Sequence, residues 1–99
     1  MLRRANMREK YIEQKLVKAV KAAGGIAPKF ISPGLAGMPD RLVLLLGGKM
    51  AFVEVKGYGL KPRPLQLKRH QTLQGLGFKV YVLDEQGQIG VILNEIQAT

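Results

Sequence analysis

The chain predicts an α/β domain, a mixed central sheet with flanking helices, and three observations carry that expectation. A long stretch near the start repeats its apolar residues with helical period. Two short apolar runs, Arg41–Leu46 and Met50–Lys56, are joined around Gly47-Gly48-Lys49 in the manner of a β-hairpin. A helix-length segment that opens at Pro64 is followed by another apolar run, Lys79–Leu83, so helices and strands mix along the chain.

Taken in order, residues 1–5 (MLRRA) read as a flexible basic arm. Asn6 is placed as an N-cap, with Glu9 completing a capping box. Ile12, Leu16, Ala19, Val20 and Ala23 then fall on one helical face, and Gly24-Gly25 ends the helix. Ile26–Ile31 suggests a strand that Pro28 confines to an edge, and Ser32–Pro39 is a Gly/Pro-rich loop. After the hairpin, Lys61–Pro64 is a basic turn. Pro64 suits the first position of a second helix, which runs to about Gly75 or Leu76 with Leu65, Leu73 and Leu76 inward. Asp84–Gly87 is a turn, and Ile89–Leu93 reads as a last strand. The core order is αβββαβ.

Ninety-nine residues suit one domain, 1–99. With 46% apolar residues the chain can build a core, and with no cysteine it has neither disulfides nor thiolate metal sites. The basic start has no apolar stretch behind it, and Leu42–Leu46 is far too short to span a bilayer, so an intracellular location without membrane insertion is expected. Sixteen Lys and Arg against seven Asp and Glu leave a net charge of +9, which favours a polyanionic partner such as nucleic acid.

The chemistry concentrates in Gly37-Met38-Pro39-Asp40 and Glu54-Val55-Lys56. Strand alternation puts Glu54 and Lys56 on one face. A three-residue loop at 47–49 would set Asp40 opposite Lys56 and diagonal to Glu54, whereas a two-residue turn would send Asp40 to the other face. Two carboxylates so close need a cation between them. Mg²⁺ takes oxygen ligands and needs only one or two carboxylates, with the Val55 carbonyl as a further donor. Lys56 beside them suits phosphodiester hydrolysis. A solvated cross-strand ion pair is the plainer account of such residues, but an apolar strand is a costly place for one.

In order and spacing, Glu13, Gly37-Met38-Pro39-Asp40, Glu54-Val55-Lys56 and Gln66 resemble the PD-(D/E)xK nuclease superfamily. The closer resemblance is to the VRR-NUC (virus-type replication-repair nuclease) family and its small stand-alone phage-type members. It implies a restriction-endonuclease-like core and a DNA endonuclease dependent on Mg²⁺ or Mn²⁺. It also implies a homodimer acting on branched DNA such as four-way (Holliday) junctions, in the cytoplasm of a bacterial host. Carried over, Asp40 and Glu54 would be metal ligands, Lys56 the catalytic lysine and Gln66 an active-site helper. Glu13 matches the first-helix acid, though Glu9, one turn earlier, leaves that assignment open.

Arg3, Arg4, Arg8, Lys61, Arg63, Lys68 and Arg69 flank these motifs and are the candidate phosphate contacts. Lys15, Lys18 and Lys21, at helical spacing, read as a solvated face. His70, the one histidine, reads as solvated or DNA-facing. The rival reading is a non-catalytic basic nucleic-acid-binding module.

Overall fold

The computed structural model describes the backbone of residues 2–99 and the side chains of residues 8–99. Helix α1 (Leu2–Ala22) is followed by strands β1 (Arg41–Leu45) and β2 (Lys49–Val55), helix α2 (Pro64–Gly75), strand β3 (Val80–Leu83) and helix α3 (Ile89–Gln97). The sheet order is β1-β2-β3, antiparallel between β1 and β2 and parallel between β2 and β3, so the sheet is mixed as expected. Among the described residues, no helix is long and apolar enough to cross a membrane.

One face of the sheet carries the main core. Val43, Leu45, Ala51, Val53, Val55 and Leu83 meet Ile12, Leu16 and Val20 of α1 and Ile89, Ile92, Leu93 and Ile96 of α3. The periodicity that predicts α1 is thus the stripe it buries. The helix begins at Leu2, however, so Asn6 lies within it and the expected arm and capping box give way to continuous helix. Arg3 and Arg4 have side chains outside the described residues.

Three further expectations change. Ile26–Ile31 forms only two isolated bridges to β1, Ile26 with Leu44 and Lys29 with Arg41, because Pro28 has no N–H to extend the ladder. Gly25 sets this approach: a Cβ there would lie 2.2 Å from the Leu44 carbonyl oxygen. The hairpin turn is a 3₁₀ turn over Leu46–Gly48, which pairs Arg41 with Val53 and shifts the register by two residues from the one expected. An even shift leaves every side chain on its intended face. The last apolar run is helix α3, not a strand. Ile89, Ile92, Leu93 and Ile96 are spaced i, i+3, i+4, i+7, and burying them together on α1 outweighs the alternation that Ile89, Val91 and Leu93 display.

Two substitutions separate these readings of the C-terminal segment. Ile96→Ala, at a fully buried site, should lower the unfolding free energy in urea by about 2–5 kcal/mol. Val91→Ala, at a position 58% exposed, should change it by no more than about 0.5 kcal/mol.

Candidate active site

The opposite face of the sheet is built differently. Leu42, Leu44, Phe52 and Glu54 point toward it, and α2 covers it with Gln66, His70 and Leu73. Those three are spaced i, i+4, i+7, so the buried stripe of α2 is mostly polar. Leu65 and Leu76, expected inward, are instead exposed. The helix opens as its sequence suggests: Pro64 takes the first turn, and the Gln66 Oε1 accepts the Arg63 backbone N–H at 2.8 Å. That bond orients the Gln66 amide so that its Nε2 donates to Glu54 Oε2 at 3.2 Å.

Glu54 is 1% exposed on the central strand. Its other oxygen, Oε1, lies 3.2 Å from His70 Nε2. Extending the observed register by one residue sets Asp40 directly opposite Glu54 rather than diagonal to it. The Val55 N–H donates to Asp40 Oδ2 at 3.0 Å and fixes that carboxylate at the strand entrance. Burial first, and then the hydrogen bonding and charge of Asp40, push the Glu54 carboxyl up to about 8. Lys56 pulls the other way, and the charge of Glu9 adds to the rise. Burial holds the His70 imidazole below its usual value; the charge of Asp40 opposes this shift and that of Lys56 adds to it.

The backbone contributes as well. In the β1–β2 ladder, odd-numbered residues of β2 face β1, and the next hydrogen-bonded partner of Val55 is Pro39. Proline has no N–H, so it cannot occupy the Val55 carbonyl. Two adjacent carboxyls and a carbonyl unclaimed by Pro39 form an all-oxygen donor set suited to a hard divalent ion that retains waters. Among the described residues, no group of three or more His, Asp or Glu side chains converges as a closed metal cage.

Glu13 is not brought to this cluster. Its Oε2 accepts from Arg41 Nε at 3.0 Å, and Arg41 lies on the α1 face of the sheet, opposite to that of Asp40. The first-helix acid whose charge reaches Glu54 is Glu9. His70, expected to be solvated or DNA-facing, is instead buried against Glu54; the signal for this is its four-residue spacing from Gln66.

Comparison with known proteins bears on the family and the fold. No family model matches the chain. A phage protein named "Putative nuclease p44", from Acyrthosiphon pisum secondary endosymbiont phage 1, is 55% identical over 80 residues, covering 81% of this chain and 86% of that one. A solved structure described as a VRR_NUC domain superposes with a TM-score of 0.81 at 31% identity, covering 88% of this chain and 95% of the other. The chain belongs to the VRR-NUC nuclease family.

Around the centre of this VRR-NUC domain, the basic residues expected to meet phosphate are dispersed. Arg8 lies 5.7 Å over the Tyr58 ring, and Arg69 Nε donates to the Ala36 carbonyl at 2.9 Å, tying α2 to the Ser32–Pro39 loop. Gly37 sits in that loop at φ 83° and packs so closely on α2 that a Cβ would come within 2.9 Å of the Leu65 carbonyl oxygen. Arg63 lines a recess with Met38 and Gln66, while Lys61 and Lys68 are exposed.

Glu54 makes apo stability pH-dependent. The folded state keeps a proton that the unfolded chain releases above pH 4.5, so this contribution is complete below pH 4.5 and is lost as pH rises through about 8. In EDTA, the urea midpoint of the wild type should fall more between about pH 5 and pH 9 than that of Glu54→Gln. Equal declines would mean that Glu54 is solvated.

Proposed function

We propose that this VRR-NUC protein is a divalent-metal-dependent DNA endonuclease that hydrolyses phosphodiester bonds, with Asp40, Glu54 and the Val55 carbonyl holding Mg²⁺ or Mn²⁺. The observation that carries the reading is a carboxyl buried in the central strand with a second one beside it. Structural ion pairs are not built from two acids, and such a site favours a cation over either charge alone. A bound cation would polarise the phosphate and acidify the attacking water.

The remaining roles fall to the protein. Lys56 shares the face of Glu54 and brings a positive charge to the open end of the hairpin, where it orients the attacking water and offsets charge developing on the phosphate. Gln66 and His70 hold one Glu54 oxygen each and so orient the carboxylate, as outer hydrogen bonds do for metal ligands. Both are positioning residues. Glu9, rather than Glu13, supplies the acidic field from the first helix. Arg8, Lys61, Arg63, Lys68 and Arg69 are proposed to contact DNA phosphates. A homodimer is proposed too, since two sites related by a two-fold axis match a symmetric junction in branched DNA.

Supercoiled plasmid and a synthetic four-way junction, each with Mg²⁺, Mn²⁺ or EDTA, test the reading. Cleavage should need the metal, favour the junction, and fall at least 100-fold in Asp40→Asn, Glu54→Gln and Lys56→Ala. Binding that survives EDTA without any cutting would instead identify a non-catalytic nucleic-acid-binding module. His70→Ala should weaken Mn²⁺ binding, followed by calorimetry, by about 10-fold or more, and His70→Gln should restore part of it.

A further inference from the structure

A groove of about 570 Å³ lies on the α1 side of the sheet, walled by Lys10, Tyr11, Lys15 and Lys18 of the helix and closed by Lys29 and Arg41. We propose that this groove binds the sugar–phosphate backbone of the nucleic-acid substrate away from the scissile phosphate, as a second contact that the carboxylate cluster does not provide. The proposal rests on the DNA reading given above.

Charge is the first argument. Glu13 is the one acid lining the groove, and Arg41 already engages it at 3.0 Å while donating to the Ala27 carbonyl at 2.7 Å. That internal pair neutralises the floor. The four exposed lysines are left without a compensating acid in the groove lining. A solvated helix face alone would account for Lys10, Lys15 and Lys18, but Lys29 comes from the separate bridge-forming segment and meets them across a concave surface.

Dimensions and position agree with a strand of nucleic acid. Lys10 to Lys18 spans about 12 Å of helix, at about 1.5 Å per residue. Measured along the duplex axis one DNA strand advances about 3.4 Å per phosphate, so a duplex lying along α1 sets three to four of them over that span. Tyr11 is nearly half exposed and has the Lys15 Nζ 5.2 Å from its ring centroid, which gives sugar or base an apolar wall beside a cation. Asp40 and Arg41 are neighbours whose side chains point to opposite faces of the sheet. A nucleic acid crossing the start of β1 therefore reaches both the cluster and the groove.

The test is equilibrium binding of a fluorescein-labelled 30-base-pair duplex, read by anisotropy in EDTA across a series of NaCl concentrations. The triple variant Lys15→Gln/Lys18→Gln/Lys29→Gln is compared with Lys21→Gln/Lys49→Gln/Lys79→Gln, which loses the same charge elsewhere; circular dichroism confirms folding. The groove variant should bind at least 10-fold more weakly, with a log–log salt slope shallower by about 3, at about 0.9 per lost phosphate contact. The control variant should change that slope by less than about 1. Equal weakening in the two variants, or none in the groove variant, overturns the groove while leaving the nuclease reading intact. A wild-type protein that binds neither this duplex nor a four-way junction, in EDTA or with Mg²⁺, overturns both.

Discussion

Burial of a carboxyl group on the middle strand of a three-stranded sheet is the constraint that organises this molecule. Glu54 has no solvent to stabilise its charge, and an uncompensated buried charge costs several kcal/mol. The surrounding structure answers in hydrogen bonds: Gln66 and His70 on one side, and Asp40, held by the Val55 N–H, on the other. Those demands explain why α2 buries a polar stripe, and why the Gly-Met-Pro-Asp turn must enter β1 where it does. They also explain the raised pKa: with no cation present, the site accommodates Glu54 most easily as a neutral acid.

Such a site is tolerable because stability is generated on the other face of the sheet. There α1 and α3 close over an apolar set with no buried acid among its members. β2 is buried on both sides for different reasons, apolar packing on one and a polar network on the other. The polar side has only a small apolar patch of its own, in which Phe52 meets Phe30 and Phe78 edge to face, with centroids 5.7 and 5.9 Å away. That patch lies farther along β2, toward the turn, and keeps α2 and the loop seated without crowding Glu54 or Lys56.

How far the sequence reveals this depends on how local each determinant is. The α1 stripe and the hairpin are short-range patterns, and both were legible. The register differs by two residues from the one a three-residue loop implies, yet Asp40 and Glu54 still share a face, because only the parity of the shift matters. Ile89–Leu93 satisfies strand alternation and helical spacing at once, and only packing against α1 decides between them. Gln66 was legible through its motif. His70 was not, since hydrophobic periodicity cannot reveal a helix whose inward face is polar. The choice between Glu9 and Glu13 was open for a similar reason: a single helical turn separates them, and the ion pair that occupies Glu13 comes from Arg41, 28 residues away.

The distribution of charge joins these parts. A chain of net charge +9 draws a polyanion to its surface, yet the polar centre toward which the active face converges contains two acids, with a third, Glu9, acting on it. A phosphate gains nothing by approaching carboxylates unless the local sign is reversed. On the proposed reading a divalent cation reverses it, and Lys56 adds a fixed positive charge at the same edge. The basic surface and the acidic centre are then complementary rather than contradictory: lysines and arginines raise the local concentration of nucleic acid, and the acids reserve the one place where that nucleic acid meets a metal instead of an ammonium. Lysines confined to a solvated surface would do only the first of these, which is why the buried Glu54 with Asp40 beside it, and not the net charge, separates a nuclease from a binder on this reading.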